Sequence, residues 1–244
     1  MPTYKLVIEY DGTAYAGWQR QADRTTVQAV LEDALLCLTQ ETIAVVGAGR
    51  TDAGVHALGQ VVSFRSERGL PLHEWRRGLN AHLPPDVAVQ SVDIVADGFH
   101  ARYSATRKRY DYRILHRQER SALERHRAWH IYGPLDLDAM RQAAGLLLGR
   151  HDFSSFQGHP TDTKDPLCHL ERLEIFEEGA LVRLVFVADR FLKQMVRAIV
   201  GTLVEVGQGK RPPQAMRDIL AAKDRRSAGY TAPPQGLYLV EVEY

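Results

Sequence analysis

The chain has 244 residues, of which 45% are hydrophobic, 25% charged and 8% aromatic, with 19 glycines and 11 prolines. That balance excludes a disordered, collagen-like or disulfide-scaffold protein, and no apolar run approaches the roughly 20 residues that span a bilayer. The net charge of +1 is unevenly spread: residues 99–130 carry nine Arg/Lys against three Asp/Glu, and residues 189–226 carry nine against four.

Two such segments are either ordinary solvated faces or parts of a positive surface for a polyanion. The opening MPTYKLVIEY holds no basic stretch followed by an apolar one. No secretory signal is therefore read, and a soluble intracellular protein is expected. Cys37 and Cys168 stand far apart without zinc-ligand spacing and are read as two buried or indifferent thiols rather than a disulfide.

In chain order, Tyr4, Leu6, Ile8 and Tyr10 alternate with Lys5, Val7 and Glu9, the period of a strand with one apolar face. DGTAYAGWQRQADR has no clean period and reads as a long polar loop. Thr25 with Gln28 resembles a capping box. Beyond it Val27, Val30, Leu31, Ala34, Leu35 and Leu38 form a helical stripe. Short strands follow over residues 42–48 and 59–65, joined by GRTDAGVHA. Pro71 opens a helix with Leu72, Trp75 and Leu79 inward, and residues 87–95 form another strand.

The second half repeats this order. A strand over 108–115 is followed by a helix over 137–148 and a hairpin of 170–176 with 181–187 around Glu178-Gly179. An amphipathic helix comes next, marked by Leu192, Met195, Val196, Ile199, Val200 and Leu203. Pro212 then opens a helix through Leu220, and residues 236–242 make the last strand. Apart from the added helix of the second half, two β-α-β-β-α-β units suggest an internal duplication with helices over one face of each sheet. The boundary falls near residues 100–107, giving halves 1–104 and 105–244.

The sharpest local feature is Gly47-Ala48-Gly49-Arg50-Thr51-Asp52-Ala53-Gly54-Val55-His56. Glycines permit tight turns and close ligand approach, and Asp52 among them is either a nucleophile or general base or a turn residue satisfying its own amides. The block lacks the third glycine of a dinucleotide fingerprint and the Gly-Lys-Ser/Thr ending of a phosphate loop. In RKRYDYRI, Tyr110 and Tyr112 share one strand face, and Arg109, Asp111 and Arg113 the other. The tyrosines either stack on a nucleobase beside the phosphate-binding cations Arg107, Lys108 and Arg109, or pack in the core. Arg197, at the border of its helix stripe, either holds a buried carboxylate or faces solvent. His126 and His130 stand four apart without an HExxH pattern, His56 can support the Asp52 loop, and His151, His159 and His169 are scattered through a loop-rich stretch. No metal is expected.

Taken together, YDGTAYAGWQRQ, GAGRTDAGVHALGQV, FHARYSATRKRYDYRI, GRHDFSSF, FLKQMVRAIVGTLVEVG and GLYLVEV run through nearly the whole chain, and in this order they resemble the tRNA pseudouridine synthase A (TruA) family. The resemblance implies an α+β pseudouridine synthase fold, two ferredoxin-like halves joined through a central, mostly antiparallel sheet with a catalytic cleft. It implies isomerisation of uridine to pseudouridine at positions 38–40 of the tRNA anticodon stem-loop, without cofactor or metal, by a cytoplasmic homodimer bound to the tRNA anticodon arm. Asp52 matches the catalytic aspartate of the RTD motif, Tyr110 the active-site tyrosine, and Arg197 the arginine of the MVR helix that pairs with the aspartate. Arg50 matches the residue that holds the flipped-out arrangement. TDTKDPLCHL is matched less readily around Lys164 and Pro166, and neither Lys164 nor His169 is given a catalytic role. The competing readings are a catalytically silent tRNA-binding or tRNA-folding protein, and a metabolic enzyme for a smaller anion.

Overall fold

The computed structural model describes residues 1–161, 163 and 165–244; Lys164 lies outside the described residues. The protein is α+β, with mostly antiparallel strands and flanking helices. It divides into two compact units, Met1–Thr106 with Tyr238–Tyr244, and Arg107–Leu237.

In the first unit β1 (Thr3–Tyr10) leads into α1 (Val27–Thr39). The short β2 (Val46–Gly47), β3 (His56–Arg65), α2 (Leu72–His82) and β4 (Val87–Val95) follow. β1 lies between β3 and β4, antiparallel to both, with Leu6 opposite Val62 and Val92. β2 pairs antiparallel with β3 at Val62 and Ser63. The alternation read from β1 is real: Tyr4, Leu6, Ile8 and Tyr10 are all buried. Val27, Leu31, Ala34 and Leu35 of α1 and Trp75 and Leu79 of α2 are buried as well. Trp75 packs against Tyr4 and Phe64 at ring separations of 5.0 and 5.4 Å. Burying each such side chain contributes roughly 1.5–3 kcal/mol, and the three rings in contact hold α2 to the sheet.

Three local expectations change. The residue capping α1 is Thr26, whose hydroxyl accepts from Ala29 N, one position later than the Thr25–Gln28 box. Leu72 is exposed in the first turn of α2. The stretch after β1 is not a polar loop: Gly12–Ala14 forms a 3-10 turn, and Tyr15 and Trp18 are buried.

In the second unit β5 (Arg107–His116), β6 (Trp129–Ile131), α3 (Leu137–Gly145) and β7 (Gly149–Asp152) precede the long hairpin of β8 (Leu167–Glu178) and β9 (Leu181–Ala188). β9 lies between β5 and β8, antiparallel to both, and β7 edges β8. β6 runs parallel to the last residues of β5. Then come α4 (Met195–Gly207) and α5 (Ala215–Ala222). α4 is not an amphipathic surface helix. Every residue but Arg197 and Glu205 is buried, the pattern of a helix enclosed on all sides. Helix α3 stops at Gly145, short of Leu148, and α5 begins beyond Pro212. His151 and His169, expected in loops, sit on β7 and β8.

The last strand, β10 (Leu237–Glu243), belongs to the first unit from Tyr238 onward. It pairs parallel with the start of β3, Tyr238 opposite His56 and Leu239 opposite Ala57. Cys37 is exposed and Cys168 buried, both as free thiols. Among the described residues, no helix is long and apolar enough to cross a membrane.

Candidate active site

The GAGRTDAGVH block leaves the sheet at β2 and re-enters it at His56, so Asp52 sits in a loop whose two ends are both tied to β3. Three layers of hydrogen bonds fix that loop. Ala48 N donates to Val61 O (2.8 Å). The buried Gln60 then clamps the Gly49 peptide, donating from Nε2 to Gly49 O (2.7 Å) and accepting from Gly49 N (3.3 Å). Farther out, Trp18 N donates to Thr51 O (3.0 Å), and the Thr51 hydroxyl and the Tyr10 hydroxyl share a 2.8 Å bond. Val55 N donates to Asp52 O (3.2 Å), closing a turn that begins at Asp52, and Gly54 N reaches Tyr15 O (3.3 Å).

The support beneath this loop comes from the segment after β1. Gly17 has φ +97°, and a Cβ there would lie 2.6 Å from Thr51 O, so only glycine lets the two backbones approach this closely. The same segment also satisfies the start of α1: Gly17 O accepts from Val27 N and Trp18 O from Gln28 N. Helix, buttress and acidic loop are thus one connected piece. Asp52 itself is half-buried and Arg50 exposed. Burial lifts the Tyr10 hydroxyl to about 12, against the opposing hydrogen bonds to Thr51 and Gln60, so it stays protonated near neutral pH and available to Thr51. His56 accepts from Gly12 N at Nδ1 (3.0 Å) and stacks on Tyr238 with ring centroids 4.7 Å apart. It therefore braces the end of the loop, as its spacing suggested.

On β5 the period of two sorts the basic-aromatic block. Lys108, Tyr110 and Tyr112 share one face, while Arg107, Arg109 and Asp111 share the other. Tyr110 is buried, edge-on to Phe191 at 5.0 Å, and lies opposite Phe186 of β9. Tyr112 is fully buried and donates to Pro233 O (2.7 Å); burial pushes its hydroxyl pKa up, with the Arg197 charge opposing. On the opposite face Arg109 grips Asp111 with two 3.0 Å bonds, and Arg107 pairs with Glu171 at 2.7 Å. Arg109 lies on the face opposite the tyrosines, as the strand period predicts; Arg107 joins it there, and Lys108 alone of the three cations shares the tyrosine face.

Arg197 is one of two residues of α4 outside its buried surface. Its Nε donates to Ala232 O (2.8 Å), and Ala232 N donates back to the Arg197 carbonyl (3.0 Å). The guanidinium plane is thereby held by backbone on one edge. The close approach of the two segments depends on Gly201, where a Cβ would fall 1.8 Å from Tyr230 O.

Sequence reasoning missed the buttress residues Tyr10, Tyr15, Trp18 and Gln60. For the first three the signal is present in YDGTAYAGW, where three aromatics and two glycines are too many for a solvated loop.

A family model described as tRNA pseudouridine synthase matches residues 6–104 and 143–244. Among similar proteins, a tRNA pseudouridine synthase A of Afipia carboxidovorans is 48% identical over 245 residues, covering 100% of both chains. Another from Myxococcus xanthus is 48% identical over 100% of this chain and 92% of its own, and one from Allorhizobium ampelinum is 45% identical over 100% and 95%.

Proposed function

The chain belongs to the tRNA pseudouridine synthase A family and is an isomerase acting on tRNA; from that premise we propose that it converts uridines at positions 38–40 of the anticodon stem-loop to pseudouridine, with Asp52 as the catalytic carboxylate. The observation that supports the residue assignment is the loop itself, whose backbone is fixed by main-chain and buried side-chain bonds on both sides of Asp52. A carboxylate that must meet one carbon of a sugar or base gains from such fixed placement.

The reaction is an isomerisation. The N1–C1′ bond breaks, the uracil turns within the site, C5 bonds to C1′, the C5 proton leaves and N1 ends protonated. Asp52 attacks C1′, attacks C6 of the base, or removes a sugar proton to give a glycal; the glycal route is placed first. Tyr110 stacks on the uracil and limits its orientations while it is detached. Arg197 holds the Asp52 carboxylate ionised and oriented, a role suited to a guanidinium already tied at Nε. Flipping the target nucleotide costs a few kcal/mol, offset by phosphate contacts to the basic segments, with Arg50, Arg107, Lys108 and Arg109 as candidates. The same reading makes the protein a cytoplasmic homodimer.

Release of label from C5-labelled uridine in unmodified tRNA measures turnover, and pseudouridine mapping on the product reads the position. Folded protein that binds this tRNA without releasing label would overturn the proposal in favour of a silent tRNA-binding protein.

A further inference from the structure

The basic stretch after β4 contains a feature that the isomerisation itself does not use. Tyr103 is 77% exposed, the most exposed aromatic ring among the described residues. It nevertheless stands in a defined orientation. Its ring stacks on His100 with centroids 4.4 Å apart and planes 29° from parallel, and the Arg102 guanidinium carbon lies 5.6 Å from its centroid, within cation–π range.

The turn that carries it is fixed from beneath. His100 Nδ1 accepts from both Arg102 N and Tyr103 N (3.2 Å each). His100 N donates to the Ser104 hydroxyl (3.1 Å) and Ser104 N donates back to His100 O (2.9 Å). Between these, the fully buried Ala101 donates from N to the Ser63 hydroxyl (3.1 Å) and accepts from the Tyr244 hydroxyl at O (2.9 Å). Tyr132, the next most exposed tyrosine, has His130 6.3 Å away and tilted by 51°. Exposure alone is ordinary for a surface tyrosine. An exposed ring that is already stacked, beside a cation and on a turn locked to the sheet, has little freedom left to lose on binding a planar partner.

We propose that Tyr103, stacked on His100 and flanked by Arg102, is a platform for an unpaired nucleobase of the tRNA other than the uridine being isomerised. This rests on the tRNA reading above. Unpaired bases stack on aromatic rings irrespective of sequence, and an adjacent arginine adds charge toward the phosphate. The second-nucleotide assignment follows from exposure: the uracil being isomerised is detached and turned in an enclosed site against the buried Tyr110, whereas the Tyr103 ring stands 77% exposed and can meet only a base held at the surface.

The test compares wild type with Tyr103→Ala, Tyr103→Phe and Tyr103→Trp on full-length unmodified tRNA. Tyr103→Ala is expected to raise KM and the tRNA Kd about tenfold, leave kcat within about twofold, and leave the slope of log Kd against log salt unchanged, because no phosphate contact is lost. Tyr103→Phe and Tyr103→Trp keep wild-type affinity, and the added indole of the Trp variant is quenched when tRNA binds. A Tyr103→Ala Kd within twofold of wild type, a Tyr103→Phe variant as weak as Tyr103→Ala, or a loss confined to kcat would each overturn the platform. Absence of label release from the wild-type protein would remove the synthase reading instead, and the binding comparison would still decide the platform.

Discussion

The two compact units hold their candidate residues by different means. In the first, Asp52 sits on a loop and is positioned by its backbone, through Gln60, Trp18, Tyr10 and Tyr15. In the second, Tyr110 sits on a strand and is positioned by packing, and Arg197 sits on a buried helix with its Nε tied to Ala232 O. Each unit nonetheless contains glycines that let a second segment come close, among them Gly17 against Thr51 and Gly201 against Tyr230. Gly17 also needs its positive φ, whereas Gly201 has ordinary helical geometry and needs only the space. The loop-borne residue is thus specified by many backbone bonds and a left-handed glycine, and the helix-borne one by a buried helix, two bonds to Ala232 and one steric condition.

Substitutions can separate these conditions. Asp52→Asn should lower the label-release rate by about 10^3-fold or more while circular dichroism and tRNA affinity stay close to wild type; a modest loss would show that the loop carries some other group's chemistry. Gly17→Ala should cost about 3 kcal/mol in urea unfolding, combining a left-handed backbone penalty with overpacking against Thr51, and it should reduce turnover along with stability. Gly201→Ala is the more discriminating change. Alanine in a helix interior normally stabilises by roughly 0.5–1 kcal/mol relative to glycine. Here we expect a net loss of about 2 kcal/mol, because the methyl group meets the Tyr230 carbonyl. A stabilised Gly201→Ala variant would mean that the 228–232 segment yields readily, and the contrast between the units would fail.

The same contrast explains what the sequence revealed. β1 and the α1 stripe were legible because each buries one face against one neighbour, which produces a clean period. Asp52 stood out because a backbone-built site needs glycines, and glycines are visible in a sequence. The buried, all-round apolar surface of α4 was read as a stripe, since large residues register in a periodicity while Ala198, Gly201 and Thr202 do not, although all three are buried. β6 and β7 were missed because three or four residues are too few to show alternation. The split of Arg107, Lys108 and Arg109 between two strand faces followed from the strand reading, yet their ion pairs with Glu171 and Asp111 required the partners from β8 and the same strand to be in place. The Tyr10–Thr51 bond joins residues 41 positions apart, and neither residue type announces it.

That bond supplies the smallest effect and the one most specific to the loop. Tyr10→Phe keeps the ring but leaves the Thr51 hydroxyl without this partner, which should cost about 1 kcal/mol at neutral pH. In the unfolded chain the Tyr10 hydroxyl ionises near its ordinary value of 10, while in the folded protein burial holds its proton until about 12. Between those values the unfolded state binds fewer protons than the folded state, so stability falls as pH rises through this window and levels off above it. Below pH 10 both states are protonated and the group adds no slope. Across the whole window the loss amounts to about 2–3 kcal/mol. Other buried tyrosines such as Tyr112 act in the same direction, so the informative quantity is the wild-type curve minus the Tyr10→Phe curve. Urea midpoints at pH 8, 10, 11 and 12 should show the variant weaker at pH 8, with the gap closing and then reversing as the wild type loses stability. Parallel curves would mean that the hydroxyl is solvated, and with it the Thr51 end of the Asp52 loop would lose its buried anchor.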